Sequence, residues 1–408
     1  MKEAIFRKIV QHQSLYVIAF GAIGFFLTNV ILKDKLSAVQ YGEFSIVITY
    51  FTMIYIYGLL GLEQVFVKYS LIRKGLVIEI NRFLTYLIAV AVVFTTIISS
   101  AFFLLYYSEI PLNPIVLIVT TFSMVSLLLL FSIFRINSNF VLAQLIVNGF
   151  KISLFILILF LLVFDSINYY IILLGISVSI IISFISGIIY LKKNLKIVYN
   201  NNLDRNTILT VGFYFLISTM TFSVINFADR FIIDYKLGIE KFGDYFYLSN
   251  IFLAPFSLLQ NYIGFKKLAD YKNEFTVKKF KINNLTNLYI GILLSLVLFV
   301  LYHCLVMINY VNFDFTRYRN VILLLLVLGT VKLYSAGIYP AFDLLIKVKY
   351  LKISKIFILI GTIVVLGVVY LFVESLEIIL IGLILIWIGK TLLLKYILLF
   401  QVKSHLVE

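Results

Sequence analysis

The sequence has little cysteine, little proline and little charge, and each shortage excludes a class of protein. One cysteine, Cys304, in 408 residues cannot build a disulfide framework or a cysteine metal site. Four prolines argue against disordered linkers rich in that residue. Charged residues make up 13% of the chain, against about 25% in soluble domains, while 62% of residues are hydrophobic. This composition is typical of an integral membrane protein.

Sequence motifs of enzymes are also missing. The chain contains no Walker A motif, no G-x-S-x-G, no H-E-x-x-H and no C-x-x-C. Its three histidines (His12, His303 and His405) are far apart in the sequence. We therefore predict a protein that is not an enzyme and has no catalytic residues, no metal site and no cofactor.

Apolar runs are the dominant feature that is present. A bilayer core needs about 20 apolar residues per helix, and twelve runs approach that length. They are residues 14–32, 44–62, 83–105, 115–134, 141–164, 168–191, 208–227, 243–264, 285–308, 320–342, 353–372 and 378–400. Their number and regular spacing predict an all-α polytopic membrane protein with about 12 transmembrane helices.

A ten-residue pattern occurs twice, 201 positions apart. Residues 35–44 read KLSAVQYGEF and residues 236–245 read KLGIEKFGDY, so both copies fit K-L-x4-[YF]-G-[ED]-[FY]. Each copy lies in a polar gap between the first and second apolar runs of its half. The separation is half the length of the chain, as an internal duplication would leave it.

Basic residues are distributed unevenly over alternate gaps. With a cytoplasmic N-terminus, and with Lys355 and Lys395 near the inner ends of their runs counted as inner, 24 of the 34 lysines and arginines lie in inner segments, seven in outer gaps and three deep within runs. The positive-inside rule then places both termini in the cytoplasm. Six spans per half give the halves a common orientation, that is, two parallel six-helix bundles. We predict bundles at residues 1–191 and 208–408, joined by a cytoplasmic linker at 192–207.

Polar side chains inside apolar runs are the candidate binding residues, because ionisable groups in a bilayer usually face a cavity or the bundle interior. Gln144, Asn148 and Lys151 in the fifth run fall at i, i+4 and i+7, which places them on one helix face. A lipid-facing surface would not carry such a stripe.

The tenth run has a similar face, with Lys332, Ser335 and Tyr339 at i, i+3 and i+7, followed by a predicted kink at Pro340. Lys390 in the twelfth run is a further candidate. So is Arg230, which lies next to Asp229 near the outer end of the seventh run. Alternatively, these cations snorkel to the interface or pair with backbone groups in the bundle.

The predicted span interiors contain lysines and no aspartate or glutamate. A transporter for cations, or one coupled through a buried carboxylate, would be expected to keep an acid there. A cationic cavity in a medium of low dielectric constant instead favours an anionic substrate, for example a phosphate.

Several short motifs resemble the polysaccharide-exporter branch of the MOP/MATE flippase superfamily, the Wzx-like flippases of O-antigen and capsule repeat units. They are Tyr41-Gly42-Glu43-Phe44, Gly61-Leu62-Glu63 leading to Lys68, Asp229-Arg230-Phe231-Ile232-Ile233, and Phe242-Gly243-Asp244-Tyr245. The resemblance covers nearly the whole chain, including the two parallel bundles of six helices.

The resemblance implies a flippase that moves undecaprenyl-pyrophosphate-linked oligosaccharides from the cytoplasmic to the outer leaflet by alternating access around a cationic cavity. It further implies a multi-pass protein of the bacterial inner membrane whose partners include a polysaccharide polymerase and a chain-length regulator. Nucleic acid is not expected as a partner. Two alternatives remain open, a MATE-type drug or metabolite exporter and a membrane polysaccharide polymerase. The sugars carried, the coupling ion and the oligomeric state are left undetermined.

Overall fold

The computed structural model describes residues 2–73, 77–137, 139–200, 203–273, 275–308, 313–346 and 348–405. These residues form fifteen α-helices and three short β-strands, so the predicted all-α fold class is confirmed. The chain divides into two compact units, Met1–Ser223 and Val224–Glu408, and the division falls within one helix. Two residues of the predicted linker, Asn201 and Asn202, lie outside the described part of the chain.

The first unit holds the helices up to the shared helix α8. They are α1 (Lys2–Lys35), α2 (Ala38–Tyr57), α3 (Leu62–Tyr69), α4 (Arg82–Tyr106), α5 (Pro114–Ile136), α6 (Phe140–Val163), α7 (Tyr169–Asn194) and α8 (Arg205–Leu237). Four of them begin after an asparagine whose side chain accepts a hydrogen bond from the first turn: Asn81, Asn113, Asn139 and Asn168. Such caps satisfy amides that would otherwise lack a partner at the start of a helix. Helix α5 contacts α2, α3, α4, α6 and α7, and so forms the centre of the unit.

A small sheet connects the loop before α4 with the segment after α7. Strands β1 (Leu71–Arg73) and β2 (Val77–Asn81) pair antiparallel, and β3 (Lys196–Asn200) pairs parallel to β2. The Asn81 amide also donates a hydrogen bond to the Leu203 carbonyl oxygen, at 3.3 Å. Much of the predicted linker is therefore held against the first unit. The sequence pattern gave no sign of these strands, because each is short and β3 pairs far along the chain.

The second predicted span of the first unit is broken. Helices α2 and α3 are bent by 41° at the turn between them. Gly61 in this turn has φ +81°, which favours glycine, and a Cβ atom there would lie 2.5 Å from the Phe215 carbonyl carbon of α8. The break therefore depends on a glycine for its backbone conformation and for its close contact with α8.

The second unit contains the remaining helices. They are α9 (Ile239–Phe252), α10 (Ala254–Asn273), α11 (Val277–Ile308), α12 (Arg319–Ser335), α13 (Ile338–Leu345), α14 (Val348–Phe372) and α15 (Leu376–His405). The run predicted at 320–342 is divided between α12 and α13 at Ala336 and Gly337. The interruption predicted at Pro340 lies three to four residues earlier, at Ala336 and Gly337, because a proline removes the hydrogen bond to the carbonyl four residues before it; Pro340 itself lies in the first turn of α13, where proline is tolerated.

Ten helices in the described ranges are long and apolar enough to cross a membrane, or eleven if α2 and α3 form one span. The eighth predicted run, 243–264, is split between α9 and α10 at Leu253, and neither helix alone is long and apolar enough to cross a membrane. Many side chains exposed on the spans are large and apolar, for example Leu105, Ile115 and Val163. Such surfaces suit contact with lipid.

The two copies of the repeated pattern lie at the same kind of helix boundary. Ser37 caps α2 in a capping box with Gln40, and Gly238, its counterpart 201 positions later, caps α9. The preceding helices, α1 and α8, end just before these residues. Each copy therefore contains the turn between the first two helices of its half, α1 and α2 or α8 and α9.

Candidate cationic site

The three candidates on α6 do share one face, and that face is directed at α1. The Asn148 amide donates hydrogen bonds to the carbonyl oxygen and to Oε1 of Gln144, both at 3.1 Å. A Cβ atom at Gly21 of α1 would lie 2.8 Å from Asn148 Cβ. The close crossing explains why Asn148 is buried, and it shows that this residue has a packing role.

Lys151 brings a positive charge to the same face. Its Nζ lies 5.7 Å from the ring centroid of Phe25 on α1 and 5.8 Å from that of Phe150. Aromatic rings at such distances attract an ammonium group through their quadrupole. The first unit therefore places one half-buried lysine between aromatic rings.

The second unit brings Lys332 of α12 and Lys390 of α15 to a single side chain, Trp387. The two Nζ atoms lie 5.0 Å and 4.7 Å from its ring centroid. Lys390 also lies 4.4 Å from the ring centroid of Tyr339 on α13, and that ring meets Trp387 edge to face at 6.2 Å. We call Lys332, Lys390, Trp387 and Tyr339 the lysine site.

Ser335 stabilises the backbone next to the lysine site. Its hydroxyl is fully buried and donates to the Lys332 carbonyl oxygen at 2.6 Å. It also accepts a hydrogen bond from Gln260 Nε2 of α10 at 3.4 Å. Ser335 thus joins the end of α12 to α10 and helps to fix the backbone that carries Lys332.

Arg230 and Asp229 lie on α8, and they differ in their surroundings. The Arg230 guanidinium lies over the rings of Phe227 and Phe246, at 5.2 Å and 5.5 Å. Asp229 is 4% exposed and accepts a hydrogen bond from the Tyr245 hydroxyl at 2.5 Å. Its other oxygen, Oδ1, is buried and has no hydrogen-bond partner among the residues that the structure describes.

Asp229 is a buried carboxylate close to the predicted end of the seventh run. The seventh run was predicted to end at residue 227, because Asp229 and Arg230 interrupt its apolar character. Helix α8 instead continues to Leu237, so Asp229 lies in a 33-residue helix that is long and apolar enough to cross a membrane. Its carboxylate interacts electrostatically with both Arg230 and Lys332.

The balance of charge around the lysine site is positive. Lys390 experiences the like charges of Lys332 and Lys355 and the opposite charge of Asp343, and Lys355 pairs with Asp343 at 3.5 Å. Arg230 and Asp229 add one charge of each sign. A surplus of buried cations stabilises a bound anion, because the low dielectric constant strengthens the attraction.

The structure therefore brings together four of the predicted residues in the second unit (Lys332, Lys390, Ser335 and Arg230) and three in the first (Gln144, Asn148 and Lys151). Sequence reasoning missed Trp387, Gln260 and the burial of Asp229. A signal for Trp387 was available, since this residue is the only tryptophan and precedes Lys390 by three positions, which places both on one helix face. Among the described residues, no group of three or more metal-ligating side chains occurs.

Comparison with known proteins shows the fold. No protein-family profile and no characterised protein matches the sequence. A structure of the lipid II flippase MurJ in an inward closed conformation has a TM-score of 0.69 at 16% identity, over 96% of this chain and 87% of that one. An outward-facing multidrug resistance MATE family transporter of the MOP superfamily has a TM-score of 0.61 at 12% identity, over 96% of both chains.

A third structure, MATE in complex with MaD5, gives a TM-score of 0.57 at 14% identity, over 97% of this chain and 98% of that one. At these identities the likeness concerns the fold. The chain is thus an all-α polytopic membrane protein. Its fold is the one shared by MurJ and the MATE transporters, as the resemblance in the sequence predicted.

Proposed function

We propose that this chain is a flippase that carries undecaprenyl-pyrophosphate-linked oligosaccharide repeat units from the cytoplasmic to the outer leaflet of the bacterial inner membrane. It would act by alternating access, in O-antigen or capsular polysaccharide biosynthesis, and would perform no bond chemistry. The observation that supports this best is the lysine site, where Lys332 and Lys390 converge on Trp387.

A pyrophosphate suits the lysine site by charge and by hydrogen bonding. Each ammonium group offers three donors, and charge-assisted hydrogen bonds to phosphate oxygens are the strong ones. Lys332 is 9% exposed, so its solvation by water is largely lost. An anion that binds there replaces part of the lost solvation, which favours a phosphate over a neutral or cationic cargo.

The fold supports the same class of cargo. The protein named lipid II flippase shares this fold over most of its length. Lys151 in the first unit supplies a further cation, and we propose that it takes part in attracting the anionic head of the substrate. Partners of such a flippase would be a polysaccharide polymerase and a chain-length regulator.

The test in cells is to delete the gene and extract the polyprenyl-linked sugars, with a lectin or periodate that cannot cross the membrane as the probe of sidedness. We expect complete repeat units on the cytoplasmic face and loss of surface polymer. Complete units on the outer face would point to a polymerase instead. Complementation with Lys332→Met and Lys390→Met should fail, whereas Lys196→Met, on the exposed strand β3, should restore the polymer.

The test in the purified protein uses the single tryptophan as a reporter. Undecaprenyl pyrophosphate should change the fluorescence of Trp387 on binding between the two lysines. Loss of one charge-assisted contact of about 1.5–3 kcal/mol weakens binding roughly tenfold or more, so Lys332→Met should shift the titration by that factor. An unchanged titration in both lysine variants would remove the lysine site from substrate binding.

Asp229 favours a second candidate, a MATE-type exporter of drugs or metabolites. A buried carboxylate with one oxygen lacking a partner suits a cationic cargo or a coupling cation. If the chain is an exporter, its deletion should raise drug sensitivity and leave the lipid-linked sugars unchanged. Asp229→Asn should then reproduce the drug sensitivity of the deletion.

A further inference from the structure

Three polar side chains of the second unit converge on the break between α12 and α13. A Cβ atom at Gly337 would lie 2.9 Å from Asn284 Oδ1, 3.3 Å from Asn287 Nδ2 and 3.4 Å from the Tyr271 hydroxyl. Asn284 and Asn287 come from α11 and Tyr271 comes from α10. We call Asn284, Asn287 and Tyr271 the amide site.

The amide site is buried, and most of its polar atoms lack partners. Asn284, Asn287 and Tyr271 are 2%, 3% and 2% exposed. In the part of the chain that the structure describes, both polar atoms of Asn284 and the amide nitrogen of Asn287 have no hydrogen-bond partner. Buried polar groups are rarely left unpaired, because each unpaired group costs free energy. Three such atoms at one point therefore indicate a bound ligand.

The chemistry of the amide site selects a neutral ligand that both donates and accepts. Two amide nitrogens are donors and one amide oxygen is an acceptor. The Tyr271 oxygen already accepts from Asn283 at 3.4 Å, so its own proton remains available for donation. A cation would face the donors and an anion would face the acceptor.

The charged groups near the amide site are engaged elsewhere. Lys267 pairs with Asp270 at 3.4 Å and also donates to Asn283 Oδ1 at 3.1 Å. Lys267 and Asp270 therefore do not supply the charge that an ionic ligand would need. Water matches the amide site best, since an internal water typically makes two to four hydrogen bonds to otherwise unpaired groups.

We propose that the amide site binds ordered water and that this water supports the break at Gly337. The break separates α12, which carries Lys332, from α13, which carries Tyr339. Ser335, whose hydroxyl bonds to the Lys332 carbonyl oxygen, lies two residues before Gly337. Hydration of the break thus helps to hold Lys332 and Tyr339 around Trp387.

The first test is the sign of a change in melting temperature, measured on the purified protein without carbohydrate. In Asn284→Leu the water loses two partners, so we expect a lower melting temperature than in wild type. The matched control is Asn250→Leu, whose amide nitrogen donates within its own helix, to the Phe246 carbonyl oxygen at 2.9 Å. The proposal is overturned if Asn284→Leu raises the melting temperature above that of wild type by as much as Asn250→Leu does, or by more. That result would show that the amides of the amide site are simply unpaired.

A second measurement uses wild-type protein and so does not depend on the folding of a variant. Radiolytic hydroxyl labelling oxidises buried side chains that contact ordered water. We expect Tyr271 to be labelled more than Tyr41, which is fully buried and donates its hydroxyl hydrogen to Asn29. Equal labelling of the two tyrosines would contradict a water at the amide site.

The link to the lysine site is tested by the emission of Trp387. The double variant Asn284→Leu/Asn287→Leu removes the site for water, and we expect its emission maximum to differ from that of wild type. Asn250→Leu should leave the emission unchanged. Wild-type emission in the double variant would contradict the role of the water in holding the break.

Discussion

The Tyr169 hydroxyl donates a hydrogen bond of 2.5 Å to Oε2 of Glu43, and so ties the start of α7 to the start of α2. Glu43 is the acidic residue of the first copy of the repeated pattern. Its counterpart in the second copy, Asp244, accepts a hydrogen bond from the Tyr318 hydroxyl beside the start of α12. Both copies therefore use their acid in the same way, to join two helices of one unit through a tyrosine.

The second of these bonds has an additional donor. Lys241 Nζ donates to the Tyr318 oxygen at 3.2 Å. Burial raises the pKa of Tyr318, and the hydrogen bond to the Asp244 carboxylate raises it further. The phenol therefore keeps its proton, as donation to Asp244 requires.

A double-mutant cycle on Glu43 and Tyr169 tests the bond in the first unit. Charge-assisted hydrogen bonds contribute about 1.5–3 kcal/mol, so Glu43→Gln and Tyr169→Phe should each lower the free energy of unfolding by about that much. The double variant should lose little more than either single variant. Tyr170→Phe is the control, because Tyr170 is 60% exposed. Strictly additive losses would show that the two side chains do not interact.

Gly61→Ala should destabilise the first unit strongly. An added Cβ would meet the backbone of α8 at 2.5 Å, and φ is +81°, so both packing and backbone conformation oppose the change. We expect a loss of about 3 kcal/mol or more, seen as poor membrane yield and a lower melting temperature. Gly361→Ala, with nothing within 4 Å, is the matched control and should gain up to about 1 kcal/mol. Equal behaviour of the two variants would contradict the role given to Gly61.

Lys151→Ala should abolish or strongly reduce transport without lowering the abundance of the protein in the membrane. The lysine makes cation–π contacts with Phe25 and Phe150, which are each worth about 0.5–2 kcal/mol, so its loss should be tolerated by the fold. Surface polymer reports transport and immunoblotting reports abundance. Normal transport in this variant would remove Lys151 from the mechanism.

Trp387 should show a graded response to substitution. Phenylalanine still offers an aromatic ring to Lys332 and Lys390, but its quadrupole attracts a cation less strongly than that of tryptophan. Leucine has no aromatic ring. Polymer export should therefore fall in the order wild type, Trp387→Phe, Trp387→Leu. Trp387→Leu with export equal to that of Trp387→Phe would show that the ring acts only by filling space.

How far the sequence predicted the molecule depends on the range of the interactions involved. Apolar runs predicted most of the spans, because membrane insertion is governed by local hydrophobicity. Helical spacing also placed Gln144, Asn148 and Lys151 on one face, as the structure has them. These features depend on residues that are close in the chain.

Features that depend on distant residues were missed. Strand β3 pairs with a strand that lies before four further helices, and Lys332 meets Lys390 only through the packing of α12 against α15. The burial of Asp229 depends on Tyr245 in the next helix. A hydropathy pattern scores Asp229 as a charged residue that ends an apolar run. It contains no information on Tyr245, whose contact buries the carboxylate.

The pairing of β2 with β3 is also a parity rule for the topology of the first unit. Hydrogen-bonded strands lie on the same side of a bilayer, so the chain between Asn81 and Lys196 must cross an even number of times. Helices α4, α5, α6 and α7 lie between these residues, and four crossings satisfy the rule. Removing or adding a single crossing between Asn81 and Lys196 would break the sheet. The five residue pairs between β2 and β3 therefore require an even number of crossings there, which the distribution of lysine and arginine alone only favours.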